Sequence, residues 1–219
     1  HEWRTVFATQ NERNRGGEQY LYWQLTRGAQ WGRNHAPLPR IERTVFAFCA
    51  PLPPTPPEAL ERGLACITAA DTRWARRDIK SVALLANVLL RQLAVDANAA
   101  ETLLLEGGEL TEASSAAVHV VIGGELRTPP RTQHVLPGTT RSVLEILAER
   151  VGVRHRPVGV TEEQLRGADE VLLSAATREV VAVTRLDGRP VGHGTPGPVW
   201  RRLYHAFQDY KRELAEEPW

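Results

Sequence analysis

Arg77-Asp78-Ile79-Lys80-Ser81 runs directly into Val82-Ala83-Leu84-Leu85-Ala86-Asn87-Val88-Leu89-Leu90-Arg91-Gln92-Leu93. Apolar residues fall on nearly every helical face from Ser81 to Leu93, so this stretch is predicted to be a buried helix. Lys80 then stands just ahead of it, behind an Asp-Ile strand end. An ammonium group is costly to bury, and a lysine at a helix start ordinarily extends its head into water. A desolvated lysine behaves differently: its pKa falls and its amine can form a Schiff base. The chain has one other lysine, Lys211.

Outward from Lys80, two further stretches have chemical potential. Leu110-Thr111-Glu112-Ala113-Ser114-Ser115 sets a carboxylate among small hydroxyl residues, where it could pair with a proton-bearing ring nitrogen. The bland alternative is a surface glutamate in a turn. Leu136-Pro137-Gly138-Thr139-Thr140-Arg141 opens a predicted helix. Free backbone N–H groups, a glycine that permits close approach, two hydroxyls and the helix dipole suit a phosphate there. An ordinary threonine N-cap reads equally well from these residues alone.

The surrounding pattern is mixed. Residues 2–10 read as a helix, closed by a polar stretch from Asn11 to Gly17. Gln19 to Thr26 suits a strand, and Thr44 to Cys49 a short buried one. Residues 50–57 (Ala-Pro-Leu-Pro-Pro-Thr-Pro-Pro) favour an extended, stiff chain, and are read as a linker between a small domain at 1–49 and a larger one at 58–219. Leu64–Ala69 reads as a strand. Ala117–Ile122 alternates, and Gly123-Gly124 signals a hairpin to Glu125-Leu126-Arg127. Thr140–Val151 has helical spacing, and Thr161-Glu-Glu-Gln164 is a capping-box pattern. Val171–Ser174 and Val180–Thr184 read as strands. Pro198 is placed for the first turn of a last helix whose inward stripe is Val199, Leu203, Ala206, Phe207 and Tyr210. Strands and helices mix without strict alternation, which indicates an α+β fold.

Composition narrows the function classes. The 27 basic and 26 acidic residues of the 219 leave a net charge of +1, so no nucleic-acid surface is indicated. No apolar run is long enough to span a bilayer, so no membrane partner is expected. Cys49 and Cys66 lack metal or redox spacing and read as buried reduced thiols of a cytoplasmic protein; no metal site is expected. The chain contains no methionine and opens on His1-Glu2-Trp3-Arg4, which reads as mid-helix. The natural protein is therefore expected to begin upstream.

Taken in order, Arg-Asp-Ile-Lys-Ser, Thr-Glu-Ala-Ser-Ser and Leu-Pro-Gly-Thr-Thr-Arg resemble the core motifs of the fold-type IV (class IV) pyridoxal-phosphate-dependent aminotransferases. The separations agree as well: 32 positions from Lys80 to Glu112, and 24 from Glu112 to Leu136. The resemblance continues through Ser174-Ala175-Ala176-Thr177-Arg178-Glu179. It implies a D-amino-acid-aminotransferase-like fold, with a small N-terminal α/β domain, incomplete here, and a larger C-terminal α/β domain. It also implies pyridoxal 5'-phosphate as cofactor. Lys80 would form the Schiff base and shuttle the proton between substrate Cα and cofactor C4′. Glu112 would pair with the pyridine nitrogen, Leu136 would pack on the ring, and Gly138, Thr139 and Thr140 would hold the phosphate, with Ala175, Ala176 and Thr177 on its other side.

Within the family, Arg33-Asn34-His35 after Leu25-Thr26-Arg27-Gly28 is similar to the Arg-x-His of D-amino-acid transaminases. There the pair traps the substrate α-carboxylate from a neighbouring subunit, with a strand tyrosine that Tyr22 matches. The implied activity is ping-pong transamination between a D-amino acid and a 2-oxo acid, in a homodimer whose substrate site lies at the interface. Aminodeoxychorismate lyase, branched-chain aminotransferase and a non-catalytic truncated relative are the alternatives. The chain departs from the family pattern at Ala176, where a hydroxyl is usual, at Ala113 and Ala116, and at Trp31, which lengthens the 27–35 loop. The family's further N-terminal sequence supplies a phosphate-binding arginine and a pocket aromatic, and neither is present.

Overall fold

The computed structural model describes residues 2–14, 17–32, 35–36 and 38–216. The chain divides into two compact units, one up to Pro54 and one from Thr55 onward.

In the first unit, helix α1 (Glu2–Arg13) precedes an antiparallel hairpin of β1 (Gln19–Thr26) and β2 (Thr44–Pro51). Alternation along β1 separates its faces. Trp23 points to α1, where its ring lies 5.7 Å from Trp3 and 6.1 Å from Phe7. Tyr22, Phe46 and Phe48 form a ring cluster on the opposite face, largely exposed. β2 was expected to be short and buried; instead it reaches Pro51 and all of its residues are exposed or half-buried. The proline is tolerated because it closes the strand opposite Gln19, and Leu52 N–H donates to Glu18 C=O just beyond it. In the 27–43 loop, Gly28 adopts φ +130° and lies against the Glu42 carbonyl, where a Cβ would collide with the oxygen. Only glycine fits that approach.

The second unit opens with α2 (Pro57–Arg62), Pro57 serving as its first residue. Then follow β3 (Leu64–Ala70), α3 (Leu85–Asp96), β4 (Glu101–Glu106), β5 (Glu109–Ala113), β6 (Ala117–Ile122), β7 (Glu125–Thr128) and α4 (Thr139–Arg150). β8 (His155–Pro157), α5 (Glu162–Arg166), β9 (Glu170–Ala175), β10 (Glu179–Leu186), β11 (Arg189–Pro190) and α6 (Pro198–Glu216) complete it. The strands form one mixed sheet in the order β5-β4-β3-β10-β9-β6-β7-β8, with β11 on β10. β3 pairs parallel with both β4 and β10, whereas β9 pairs antiparallel with β10 and β6.

Central strands are apolar on both faces because both are covered. On β6 and β9, Val118, Val120, Val171 and Leu173 pack on one side with Leu103, Leu110 and Leu165. Val121 and Leu172 pack on the other against Leu144 and Ala148 of α4 and Val199, Trp200 and Leu203 of α6. The capping box at Thr161 forms as its sequence indicates, with Gln164 N–H on the Thr161 hydroxyl and the Gln164 side chain on the Thr161 N–H. Gly123 and Gly124, at φ +59° and +76°, make the β6–β7 turn.

Two expectations fail here. The helix after Lys80 starts only at Leu85, and it buries Leu90 and Ala94 alone. Leu85, Val88 and Leu89 are respectively 72%, 59% and 60% exposed. An all-apolar pattern reports that a surface avoids water, not which partner covers it. Residues 77–80, expected to end a strand, form a turn and loop.

His119 on β6 is fully buried, with Nε2 2.8 Å from the Ser174 hydroxyl. Burial pushes its pKa down from 6.5 to about 3, so it is neutral. The unfolded chain therefore takes up this proton first. The stability His119 contributes is present above about pH 6.5 and is lost as pH falls toward about 3, by about 1.4 kcal/mol per pH unit. Urea midpoints across this range should show a shallower acid slope for His119→Gln than for the wild type; identical slopes would refute the assignment.

Candidate active site

Four sequence-separated segments of the second unit are tied together by hydrogen bonds. The loop carrying Lys80 is anchored by the Arg77 and Asp78 N–H groups, which both donate to the Gln133 carbonyl at 2.9 and 3.3 Å. Three residues on, Leu136 N–H donates to Glu112 Oε2 at 3.2 Å, which joins the start of α4 to β5. The turn after Glu112 is held by Glu101, a wholly buried carboxylate that accepts from the Ser114 and Ser115 hydroxyls and from Thr102 N–H. Arg178, at the end of the β9–β10 turn, donates to the same carboxylate at 3.2 Å. Glu101 thus brings the 175–178 turn to the Ser114–Ser115 turn. Asn87 on α3 adds a bond from its side chain to Ser114 C=O at 2.8 Å.

Within this assembly Lys80 is exposed, in the loop five residues before α3. Its amine is free to meet a ligand rather than embedded beside a helix. Glu112 is 7% exposed, on a strand rather than in a surface turn. Burial raises its pKa, opposed by the Arg73 guanidinium that donates to Oε1. Arg73 also grips Asp71 through Nε at 2.9 Å and Nη2 at 2.7 Å. Burial would pull the Arg73 pKa down, but the two carboxylates outweigh it and raise it. Asp71 is held below the usual carboxylate range: burial acts upward, and bonds from Arg73 and the Thr111 hydroxyl prevail.

α4 begins at Thr139 with Gly138 as N-cap, and no side chain caps it. Its first N–H groups and its dipole are therefore available to an anion. Gly138 N–H closes back on Leu136 C=O at 2.8 Å, so the turn itself orients the helix start. Ala176 and Thr177 are exposed at the tip of the β9–β10 turn, and Ala175 is half-buried. At Ala176 only backbone groups can serve a ligand.

The donor set fits pyridoxal phosphate. An uncapped helix start suits its phosphate, a buried carboxylate bonded to the adjoining segment suits its ring nitrogen, and an exposed primary amine suits its aldehyde.

The first unit is described by itself. Tyr22 is half-exposed; its ring stacks on Phe48 at 5.2 Å and its hydroxyl donates to Gln24 at 2.7 Å. His35 is exposed in the loop after β1. Arg33 lies outside the described residues.

The sequence reading missed Asp71, Arg73, Glu101 and Arg178. Asp71-Thr72-Arg73 offered a faint signal, two opposite charges spaced two apart within an otherwise apolar-to-polar transition. Glu101, at the head of an apolar strand, offered only its position.

Among known proteins, the model of the amino-transferase class IV family matches residues 1–186. D-alanine aminotransferase of Staphylococcus aureus (strain MSSA476) is 38% identical over 191 residues, which cover 87% of this chain and 67% of that protein. D-alanine aminotransferase of Bacillus licheniformis is 38% identical over 199 residues, covering 91% and 69%. Among solved structures, the branched-chain amino acid aminotransferase of Escherichia coli superposes with a TM-score of 0.82 at 27% identity, over 95% of this chain and 70% of that one. The T.th. branched-chain amino acid aminotransferase, solved with pyridoxamine 5'-phosphate, gives 0.81 at 28% identity over 91% and 67%. This chain, which spans about two thirds of those relatives, belongs to the class IV aminotransferase family and has its α+β fold.

Proposed function

We propose that this protein transfers amino groups between a D-amino acid and a 2-oxo acid, with pyridoxal phosphate held at Lys80 and Glu112. The observation that supports the reading is the convergence of an exposed lysine, a buried carboxylate and an uncapped helix start, linked through the Gln133 carbonyl and Leu136 N–H. The cofactor, when bound, supplies an electron sink that makes the substrate Cα–H acidic. Lys80 Nζ would carry the proton from that Cα to the cofactor's C4′. Glu112 keeps a proton on the ring nitrogen. Leu136 supports one ring face, and the N–H groups of Thr139 and Thr140, with Gly138 allowing close approach, bind the phosphate. Ala175, Ala176 and Thr177 contribute from the other side through backbone groups and the Thr177 hydroxyl.

Arg33 and His35, with Tyr22, are assigned to the substrate α-carboxylate, a guanidinium fork being well matched to it. The 38% identity to D-alanine aminotransferases favours D-substrates. Branched-chain aminotransferases among the structural relatives keep an L-specific reading as the second possibility.

We further assign the protein to a homodimer. The exposed apolar row Leu85, Val88 and Leu89, continued by Val82 at 72% exposure, is a surface that water disfavours and a second copy can cover.

Three measurements test this reading. Borohydride reduction with pyridoxal phosphate should fix the cofactor to the Lys80 peptide, and Lys80→Ala should abolish transamination with an unchanged thermal melt; label on Lys211 would refute the site. Half-reaction kinetics should show D-alanine and D-glutamate reacting far faster than their L forms. Loss of a shielded, charge-assisted pair is worth about 2 kcal/mol, so Arg33→Ala should raise the apparent KM for all D-substrates at least about tenfold. A preference for L-substrates would transfer the protein to the branched-chain reading. Finally, sedimentation should give a dimer that Leu85→Glu converts to monomer without loss of helicity; a monomeric wild type would remove the homodimer.

A further inference from the structure

Glu112 belongs to a buried ion network larger than its proposed task requires. The side chains of Asp71, Arg73, Arg77 and Glu112 are 0%, 6%, 3% and 9% exposed. Arg73 bridges Asp71 and Glu112. Arg77 Nε lies 3.5 Å from Asp71 Oδ2, and its other nitrogens hold Glu106 at 2.8 and 2.9 Å. Glu106, at the outer, half-exposed end, also meets His134 Nδ1 at 2.8 Å. Three carboxylates thus face two guanidinium groups. Counted over these carboxylates and guanidinium groups, the network is one negative charge in excess.

That excess has a consequence at Glu112. A carboxylate bonded to an uncompensated guanidinium is a poor proton acceptor, because the cation already satisfies its charge. Here Asp71 takes two of the Arg73 N–H bonds and offsets its charge, so Glu112 accepts a proton more readily while Oε1 is fixed in place. Among the described residues, Oε2 accepts the Leu136 N–H bond at 3.2 Å alone, and it retains accepting capacity. Resting on the cofactor reading above, we infer that Asp71, acting through Arg73, is a positioning residue that keeps Glu112 a strong proton acceptor, oriented for a protonated ring nitrogen. Removing the Asp71 charge gives the whole of Arg73 to Glu112 and weakens its hold on that proton, although Asp71 touches no ligand.

The test compares the binding of pyridoxal phosphate with that of its carbocyclic analogue, in which C–H replaces the ring nitrogen. Borohydride reduction of the wild type comes first; without label on Lys80 the cofactor reading fails, and this inference with it. Given that label, the wild type should prefer the nitrogen-bearing ring. In Asp71→Asn the preference should fall about tenfold, one unit of proton affinity, while affinity for the analogue stays within about twofold. Parallel loss of both ligands, or an unchanged preference, overturns the inference and leaves the cofactor reading standing. Should Asp71→Asn not fold, the wild type supplies the decision. The nitrogen of 15N-labelled cofactor should keep its protonated chemical shift from about pH 6 to about pH 9, with Arg73 and Asp71 next to Glu112 and Arg77, Glu106 and His134 further along the same network. A shift to the unprotonated position within that interval, in folded protein, overturns it.

Discussion

Arg73 bridges Asp71 and Glu112 inside the second unit, and the candidate site is organised around that contact. Three charges removed from water would be costly if any one were left alone. Each is instead bonded to another, and neighbouring groups take the remaining valences: Leu136 N–H on Glu112, Thr111 hydroxyl on Asp71. Segments far apart in the chain are thereby held at fixed separation. The loop before α3 supplies the cation, β5 the carboxylate, and the approach to α4 the N–H group.

Glu101 does comparable work on the other flank. Its carboxylate is wholly buried yet accepts from Ser114, Ser115, Thr102 N–H and Arg178. A group so fully satisfied binds its neighbours into one geometry, because each donor lost removes a hydrogen bond from a buried charge. The two carboxylates divide the labour. Glu101 is saturated and holds turns together. Glu112 is left with an oxygen that can still accept, which is what a ligand-binding group needs.

The rest of the fold presents these groups. The central strands β6, β9 and β10 are covered on both faces, so they are rigid and place their ends reproducibly. α4 packs on the sheet through Leu144 and Ala148, which fixes the position of its uncapped start after Gly138. α3 is different. It buries only Leu90 and Ala94 and leaves an apolar row exposed among the described residues.

Much of this was legible in the residues. Local signals set local structure: the Gly123-Gly124 turn, the capping box at Thr161 and the N-terminal Pro198 of α6 all form where short-range sterics and hydrogen bonding dictate. The three motifs around Lys80, Glu112 and Gly138 were legible as a resemblance to the class IV family, whose model matches residues 1–186. The sequence by itself also determined that residues 81–93 avoid water. Only the tertiary structure decided the remainder. It left α3 mostly uncovered, put Lys80 in an exposed loop, extended β2 through Pro51, and linked Glu112 through Arg73 to Asp71. The physical reason is range. Backbone preference and apolar periodicity act over a few residues, whereas burial and ion pairing depend on which distant segments the sheet brings together. Arg73 and Glu112 are 39 positions apart, and no local pattern records that they share a hydrogen-bonded contact.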